Sequence, residues 1–114
     1  MRTETIKAPI ATVSITNKRE HWSKRSRRAK GQREAAYLLT QLLSKMGLPM
    51  TVTLTRIAPR ALDDDNLRSA LKSVRDGVAD RLGIDDRDSR VVWAYGQRKG
   101  IPKEIAVEIV ASET

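Results

Sequence analysis

Alternation of apolar and polar residues along the chain predicts four short strands. Residues 10 to 16 (IATVSIT) and 50 to 58 (MTVTLTRIA) alternate with the strand period of two. The first segment has Ala11, Val13 and Ile15 on one face, and the second has Met50, Val52 and Leu54 on its inward face. Two more strands are predicted at about 90 to 98 and 104 to 111, joined by a hairpin turn around Gly100. The second of the four has the cleanest alternation.

Apolar residues at helical spacing predict two helices. The first extends from Gln32 to Met46 and ends at Gly47. The basic stretch that precedes it, residues 18 to 33, is predicted to be a loop or the solvated start of a helix. The second helix ends at Gly83, in the usual position of a C-terminal cap. Its apolar positions, which step by 4, 3, 4 and 4, are Leu67, Leu71, Val74, Val78 and Leu82.

Together these elements predict a single α+β domain over residues 1 to 114, in the order βαβαββ. A small mixed sheet would pack against the two helices. The length of the chain is that of one compact domain, and no internal repeat or linker divides it.

Composition narrows the chemistry. The chain has no cysteine and one histidine, His21, which excludes thiolate zinc sites and disfavours an imidazole-rich metal site. No apolar run approaches the roughly 20 residues that cross a bilayer, and the N-terminus lacks the apolar stretch of a signal peptide. We therefore expect a cytoplasmic protein with no membrane partner.

Charge is divided unequally along the chain. The net charge is +8, with 11 Lys and Arg against 3 Glu in residues 1 to 50, and 11 against 11 acidic residues in residues 51 to 114. The positive field is therefore concentrated in the first half, which favours nucleic acid or another anionic partner.

All the aspartates, eight in number, lie between Asp63 and Asp88. One group, Asp63 to Asp65, begins the second helix, and another, Asp85 to Asp88, precedes the third strand. Carboxylate oxygens are hard ligands suited to Mg²⁺ or Mn²⁺. If the third strand lies beside the second, both groups are expected to meet at one edge of the sheet.

Each acidic group also has a simpler interpretation. Aspartates at a helix start cap its free amides, although one carboxylate suffices for that, and three adjacent carboxylates repel each other unless a divalent cation binds. The second group is alternatively an acidic surface turn, and an EF-hand fits it poorly. At about 100° per residue, Asp65, Lys72 and Asp76 share the helix face turned away from the core.

The order of these residues resembles the RusA family of Holliday junction resolvases. That family carries a D-x-D-N-L start, a helix with a K-x-x-x-D pair and a D-D-x-x-V entry to the next strand. The resemblance covers mainly residues 60 to 99, with weaker support from Ser14 to Asn17, which is similar to the family's S-x-N segment. The matching positions are Asp63, Asp64, Asp65, Asn66, Leu67, Leu71, Lys72, Asp76, Gly83, Asp85, Asp86, Val91 and Val92.

Two positions depart from the family pattern. Lys72 stands seven residues after Asp65 instead of four, as if one helical turn were inserted, and both spacings keep it on the same face. The stretch before the valines reads D-D-R-D, so the family's last metal-binding aspartate matches either Asp86 or Asp88.

The resemblance implies a Mg²⁺-dependent endonuclease, with Mn²⁺ as a second possible metal, that binds four-way DNA junctions as a homodimer. It would resolve them by phosphodiester hydrolysis in DNA recombination and repair. Asp63, Asp65 and either Asp86 or Asp88 would hold the metal, which activates a water for hydrolysis. Lys72 would stabilise the negative charge of the transition state.

The basic stretch, residues 18 to 33, is predicted to contact the DNA backbone, with a steep salt dependence as its signature. A solvated charged face or nonspecific RNA binding is the alternative. His21 and Trp22 are candidates to contact a phosphate or stack on an exposed base, and the alternative for Trp22 is packing at the edge of the domain. The predicted DNA-binding residues are Asn17, Lys18, Arg19, Lys24, Arg25, Arg27, Arg28, Lys30 and Arg33.

Two functions therefore compete at the level of sequence. The first is a RusA-like endodeoxyribonuclease. The second is a non-catalytic nucleic-acid-binding module, in which the acidic cluster only caps the helix and buffers charge. A phosphohydrolase of small nucleotides is disfavoured because the sequence has no Gly-rich phosphate loop.

Overall fold

The computed structural model describes residues 1–12, 22–85, 87–100 and 104–114. Its elements, in chain order, are β1 (Thr3–Ala8), α1 (Trp22–Leu39), a 3-10 helix (Gln41–Lys45), β2 (Met50–Ala58), α2 (Asp64–Leu82), β3 (Val91–Lys99) and β4 (Ala106–Glu113). Within these ranges no helix is both long enough and apolar enough to cross a membrane.

The strands form one mixed sheet in the order β1-β4-β2-β3. β2 pairs with β3 in parallel and with β4 antiparallel, and β4 pairs antiparallel with β1. Helix α2 is the crossover between the two parallel strands, as a parallel pair requires. The predicted α+β class, with a small mixed sheet and two helices, is confirmed.

The predicted hairpin between the last two strands is wrong, because β2 lies between β3 and β4. β4 is a central strand, and its inward residues Val107, Ile109 and Ala111 are 0% exposed. A turn signal marks where the chain reverses but does not determine which strand the next one pairs with. Residues 101 to 103 of the predicted turn lie outside the described residues.

The first strand lies earlier than the alternation predicted. β1 covers Thr3–Ala8, residues 10 to 12 of the predicted strand are not in a ladder, and residues 13 to 16 lie outside the described part of the chain. Ile10 and Thr12 are nevertheless buried, at 5% and 6% exposure. Ala11 between them is exposed, so burial in residues 10 to 12 has the opposite phase to the predicted apolar face, and these residues form no strand.

Helix α1 also starts earlier than predicted, at Trp22 instead of Gln32, and it ends at Leu39 instead of Met46. Of the two alternatives for residues 18 to 33, the described portion is a solvated helix. Helix formation there does not need an apolar stripe, because the C-terminal part of the same helix packs against α2 and supports it.

Strand β2 and helix α2 match the prediction. β2 covers Met50–Ala58, and α2 covers Asp64–Leu82 with Gly83 at φ 69° as its left-handed C-terminal cap. Glycine adopts this conformation without a Cβ clash. The apolar side of α2 packs on the inward face of the sheet. Core residues at 4% exposure or less include Leu54, Leu67, Leu71, Val74, Val78 and Ile109.

The two helices meet closely at Gly77, where a Cβ would lie 2.3 Å from the carbonyl oxygen of Arg33. Arg33 of α1 forms an ion pair with Asp80 of α2, with Nε 2.7 Å from Oδ2. Arg81 donates two hydrogen bonds to the carbonyl of Tyr37, at 3.0 and 2.7 Å. These contacts fix the basic helix α1 against α2, which begins at the first acidic group.

Candidate functional site

Side chains of the sheet hold the loop between β2 and α2, which carries Asp63. Gln97 of β3 donates from Nε2 to the carbonyl of Leu62 at 2.7 Å and accepts a hydrogen bond from the Leu62 amide at 2.9 Å. Arg56 of β2 donates to the carbonyl of Arg60 at 2.6 Å. Arg56 and Gln97 are opposite each other in the parallel ladder. The start of α2 is therefore fixed to the carboxyl end of the β2–β3 pair.

Arg56 was missed in the sequence. It is 8% exposed and its Nε donates to the hydroxyl of Thr12 at 2.9 Å. Burial lowers the pKa of its guanidinium below the usual value. The sequence did indicate that Arg56 is buried, because it occupies the next inward position after Leu54 in the alternation of β2. A buried guanidinium needs its donors satisfied, and here they serve to hold the neighbouring loops.

The first acidic group contains one capping carboxylate and two exposed ones. Oδ1 of Asp63 accepts a hydrogen bond from the Asn66 amide at 2.9 Å, which is the geometry of an N-cap. Asp64 and Asp65 are exposed and make no hydrogen bond or ion pair within the described residues. One aspartate therefore caps the helix, and its two neighbours have no structural partner in the described chain.

Lys72 lies farther along the same helix and pairs with Asp76. Its Nζ is 3.1 Å from Oδ2 of Asp76, and the two side chains are 70% and 19% exposed. An exposed i,i+4 pair contributes little to stability. At 1.5 Å per residue, Lys72 lies about 10 Å from Asp65 along the helix axis.

The second acidic group forms the turn before β3. Oδ1 of Asp85 accepts a hydrogen bond from the Arg87 amide at 2.9 Å. Asp88 accepts hydrogen bonds from Nε and Nη2 of Arg90, at 3.0 and 2.7 Å, and from the Arg90 amide at 3.0 Å. The side-chain and backbone bonds from Arg90 lower the pKa of Asp88 to about 2. Both carboxylate oxygens of Asp88 are thus engaged, and Asp86 lies outside the described residues.

The expectation that the two acidic groups meet at one edge of the sheet is wrong for a single chain. The third strand does lie beside the second, but in parallel, with Met50 opposite Val91. Asp63 follows the carboxyl end of β2, whereas Asp88 precedes the amino end of β3, so the groups lie at opposite edges. The 19 residues of α2 separate them by about 28 Å. Among the described residues, no three acidic or histidine side chains are grouped closely enough to hold one metal ion.

Most of the predicted DNA-binding residues lie on α1. Arg28 is half-buried, and Trp22 is 73% exposed at the start of the helix. Arg33 donates two hydrogen bonds to Asp80, at 2.7 and 2.9 Å, which lower the pKa of Asp80. The guanidinium of Arg33 is therefore engaged in the contact between the two helices. Residues 17 to 19 lie outside the described chain. The exposed cations of α1 that remain are Lys24, Arg25, Arg27 and Lys30.

A further group of cations lies where α2 passes over β3. Arg68, Lys72 and Arg75 line a cleft of about 290 Å³ together with Tyr95. The guanidinium of Arg68 is 5.6 Å from the centroid of the Tyr95 ring, and that of Arg75 is 4.9 Å from the Trp93 ring. The spacing of the three cations was visible in the sequence. The aromatic support was not, because it depends on β3 lying beneath this side of α2.

Comparison with known proteins gives a related sequence and several remotely similar structures. No protein-family model matches the chain. An uncharacterized protein of Xylella fastidiosa (strain Temecula1 / ATCC 700964) is 36% identical over 98 residues, covering 76% of this chain and 61% of the relative. The chain therefore spans less than two thirds of that relative's length.

Two of the similar solved structures come from Plasmodium species. The 2C-methyl-D-erythritol 2,4-cyclodiphosphate synthase of Plasmodium vivax is 20% identical, with a TM-score of 0.34 over 74% of this chain and 52% of that chain. IspF of Plasmodium falciparum, in a CDP complex, is 21% identical, with a TM-score of 0.32 over 75% and 51%. Likeness at this level carries no argument about fold or activity.

Proposed function

We propose that the chain is a structure-specific endodeoxyribonuclease that resolves branched DNA, the four-way junction above all, as a cytoplasmic homodimer with Mg²⁺ or Mn²⁺. The observation that carries the proposal is the exposure of Asp64 and Asp65 beside the capping Asp63, on a chain of net charge +8. Adjacent carboxylates repel each other and a nearby phosphate, and a divalent cation between them relieves both repulsions.

The separation of the two acidic groups favours a metal site completed by two chains. Mg²⁺ binds oxygen at about 2.1 Å, so one ion does not join groups that α2 holds about 28 Å apart. The proposed ligands are Asp63 and Asp65 of one protomer and the Asp86 carboxylate of its partner. Asp88 is the weaker choice, since Arg90 engages both of its oxygens.

The open face of the sheet supports a homodimer. The helices cover one face, and the central positions of β2 and β3 on the other face are uncharged: Thr51, Thr53, Thr55, Val92 and Ala94. These positions place no like charges in contact when two copies pack, and Glu108, opposite Thr55 on β4, is paired with Arg98 at 3.4 Å. A two-fold axis between the sheets and perpendicular to the strands would set the carboxyl edge of one sheet over the amino edge of the other. That arrangement brings the first acidic group of one chain to the same end of the dimer as the turn before β3 of its partner.

The remaining residues have separate tasks in this proposal. The bound metal would supply an activated water for phosphodiester hydrolysis. Exposed cations of α1 would hold the DNA backbone by displacing its counterions. Lys72 would offset negative charge at the reacting phosphate, and its pairing with Asp76 at 3.1 Å limits where its ammonium lies.

One observation favours the non-catalytic alternative, a nucleic-acid-binding module. The hydrogen bond from the Asn66 amide to Asp63, at 2.9 Å, accounts for one acidic residue by capping alone. Capping does not account for Asp64 and Asp65, and Asp65 is a ligand in the proposed metal site.

Charge-matched variants separate the two functions. Asp65→Asn should abolish cleavage of a synthetic four-way junction in Mg²⁺ while binding in Ca²⁺ is retained. Asp64→Asn removes the same charge from a neighbouring exposed position and should leave cleavage near the wild-type rate. Equal cleavage by both variants would contradict the metal assignment, and no cleavage of any branched DNA by the wild type would favour the binding module.

Mixed dimers test whether the site is shared between chains. Asp65→Asn and Asp86→Asn should each be inactive alone. In a mixture, half of the dimers contain one chain of each kind, and in a shared site one of their two sites is intact, so about one quarter of wild-type nicking should return. If both ligands came from the same chain, every site would carry a substitution and no activity would return.

A further inference from the structure

One flank of α2 carries a row of cations. Arg68, Lys72 and Arg75 are spaced by four and three residues, so they follow one another along the same side of the helix. They line a cleft of about 290 Å³ with one carboxylate, Asp76, in its lining. Three cations against one carboxylate leave this cleft with a net positive charge.

Strand β3 positions two of these cations. Nη1 of Arg75 donates to the Tyr95 hydroxyl at 2.6 Å, and its guanidinium lies 4.9 Å from the Trp93 ring centroid. Arg68 lies 5.6 Å from the Tyr95 ring centroid. A ring engages the face of a guanidinium and leaves the N–H donors in its plane available. Arg68 makes no hydrogen bond or ion pair within the described residues, so its donors are available to a ligand.

The cleft is open, and Arg68 and Arg75 lie on the side of α2 away from the basic helix α1, while Lys72 also lines a neighbouring cleft with Arg33 of α1. β3 is the edge strand of the sheet, so no further strand lies beyond Tyr95 in the described sheet. At about 100° per residue, Arg68 and Arg75 lie roughly 160° to 180° around α2 from Gly77, which is the residue that contacts α1. The protein therefore presents cations on both sides of α2.

We infer that Arg68, Lys72 and Arg75 form a binding site for the sugar-phosphate backbone of one DNA strand. The row extends about 10 Å along the helix axis, which is the rise of about three nucleotides of one strand at 3.4 Å each. An extended row in an open cleft suits a polyanion better than a single phosphate. The inference rests on the DNA partner proposed above, but not on cleavage.

The test measures binding in EDTA, where cleavage plays no part. The affinity of a labelled single-stranded oligonucleotide is followed by fluorescence anisotropy at several salt concentrations. The double variant Arg68→Gln/Lys72→Gln should bind about tenfold more weakly, and its slope of log K against log salt should fall by about 1.4, or 0.7 per lost contact. The control Lys45→Gln/Arg87→Gln removes the same charge from exposed positions away from the cleft and should match the wild type.

A wild-type affinity and slope in the Arg68→Gln/Lys72→Gln variant would overturn the inference. Both side chains are exposed, so the fold should survive, and Arg68→Lys should keep the wild-type slope because it keeps the charge. Emission of Trp93, measured in a Trp22→Tyr background, gives a second test since this ring lies against Arg75. It should change and saturate with the oligonucleotide, and constant emission at saturating DNA would also overturn the inference. These binding results do not depend on whether the protein cleaves DNA. A failure of the nuclease proposal is therefore distinguishable from a failure of this inference.

Discussion

Gly77→Ala should destabilise the protein at the contact between α1 and α2. A Cβ at this position would lie 2.3 Å from the Arg33 carbonyl oxygen and 2.7 Å from the Ala36 Cβ. The nearer atom belongs to the backbone of a helix, so relief requires moving α1 as a body by about 1 Å and not rotating a side chain. Gly31→Ala is the matched control, because a Cβ there meets no atom within 4 Å.

The expected magnitude comes from two opposing effects. Replacing a helical glycine with alanine stabilises a helix by up to about 1 kcal/mol, and both variants receive this gain. Overpacking costs about 1 to 3 kcal/mol, and only Gly77→Ala has this cost. The difference between the two variants isolates the overpacking. At about 4 °C per kcal/mol for a chain of this size, the Tm of Gly77→Ala should lie about 4 to 12 °C below that of Gly31→Ala.

Urea and thermal unfolding followed by circular dichroism provide the measurement, with both variants and the wild type at one pH and salt concentration. Gly31→Ala should unfold at a slightly higher midpoint than the wild type. If Gly77→Ala were stabilised as much as Gly31→Ala, the close approach of α1 to α2 would be refuted, and with it the position of the basic helix beside α2.

Three further substitutions test the elements around the site. Asp63→Ala should cost about 1 kcal/mol in urea unfolding through loss of the N-cap, whereas Asp63→Asn should keep most of it; equal losses would argue against capping. Gln97→Leu leaves the Leu62 amide and carbonyl without their partners and should cost about 1 to 3 kcal/mol, so unchanged stability would mean that the loop is held by other contacts. Arg90 lowers the folded-state pKa of Asp88 to about 2. The stabilisation from this ion pair is therefore complete above the unfolded pKa of about 3.9 and is lost as the pH falls toward 2. The urea midpoint should fall more steeply between pH 4 and 2 in the wild type than in Asp88→Asn, and parallel pH profiles would contradict the ion pair.

The sequence predicted correctly those elements that have a clear local pattern of apolar residues. β2 has a period of two over its whole length and ends before Pro59, and α2 keeps its apolar steps up to the Gly83 cap. Both were therefore predicted nearly residue for residue. β1 was misplaced because the alternation from residue 10 was interpreted as a strand, whereas residues 10 to 12 form no ladder and bury Ile10 and Thr12 instead of Ala11.

The arrangement of the candidate site depended on information that no local pattern carries. Whether β3 runs parallel or antiparallel to β2 decides which end of the sheet receives Asp88, and the acidic groups looked adjacent only while that direction was unknown. The same parallel pairing places Trp93 and Tyr95 beneath Arg68 and Arg75. The parallel pairing of β2 and β3 therefore accounts both for the separation of the two acidic groups and for the formation of the cationic cleft.

The extra helical turn before Lys72 has a related consequence for the proposed nuclease. Lys72 follows Asp65 by seven residues, about 10 Å along the axis, while Arg68 follows it by three, about 4.5 Å. Lys72 is also paired with Asp76, whereas the Arg68 side chain makes no hydrogen bond or ion pair among the described residues and lies near the Tyr95 ring. Of these two cations, Arg68 is therefore the nearer to Asp65 along the helix axis. The role proposed for Lys72 beside a metal held by Asp65 therefore has Arg68 as its competitor, and comparing the cleavage rates of Lys72→Gln and Arg68→Gln at saturating DNA decides between them.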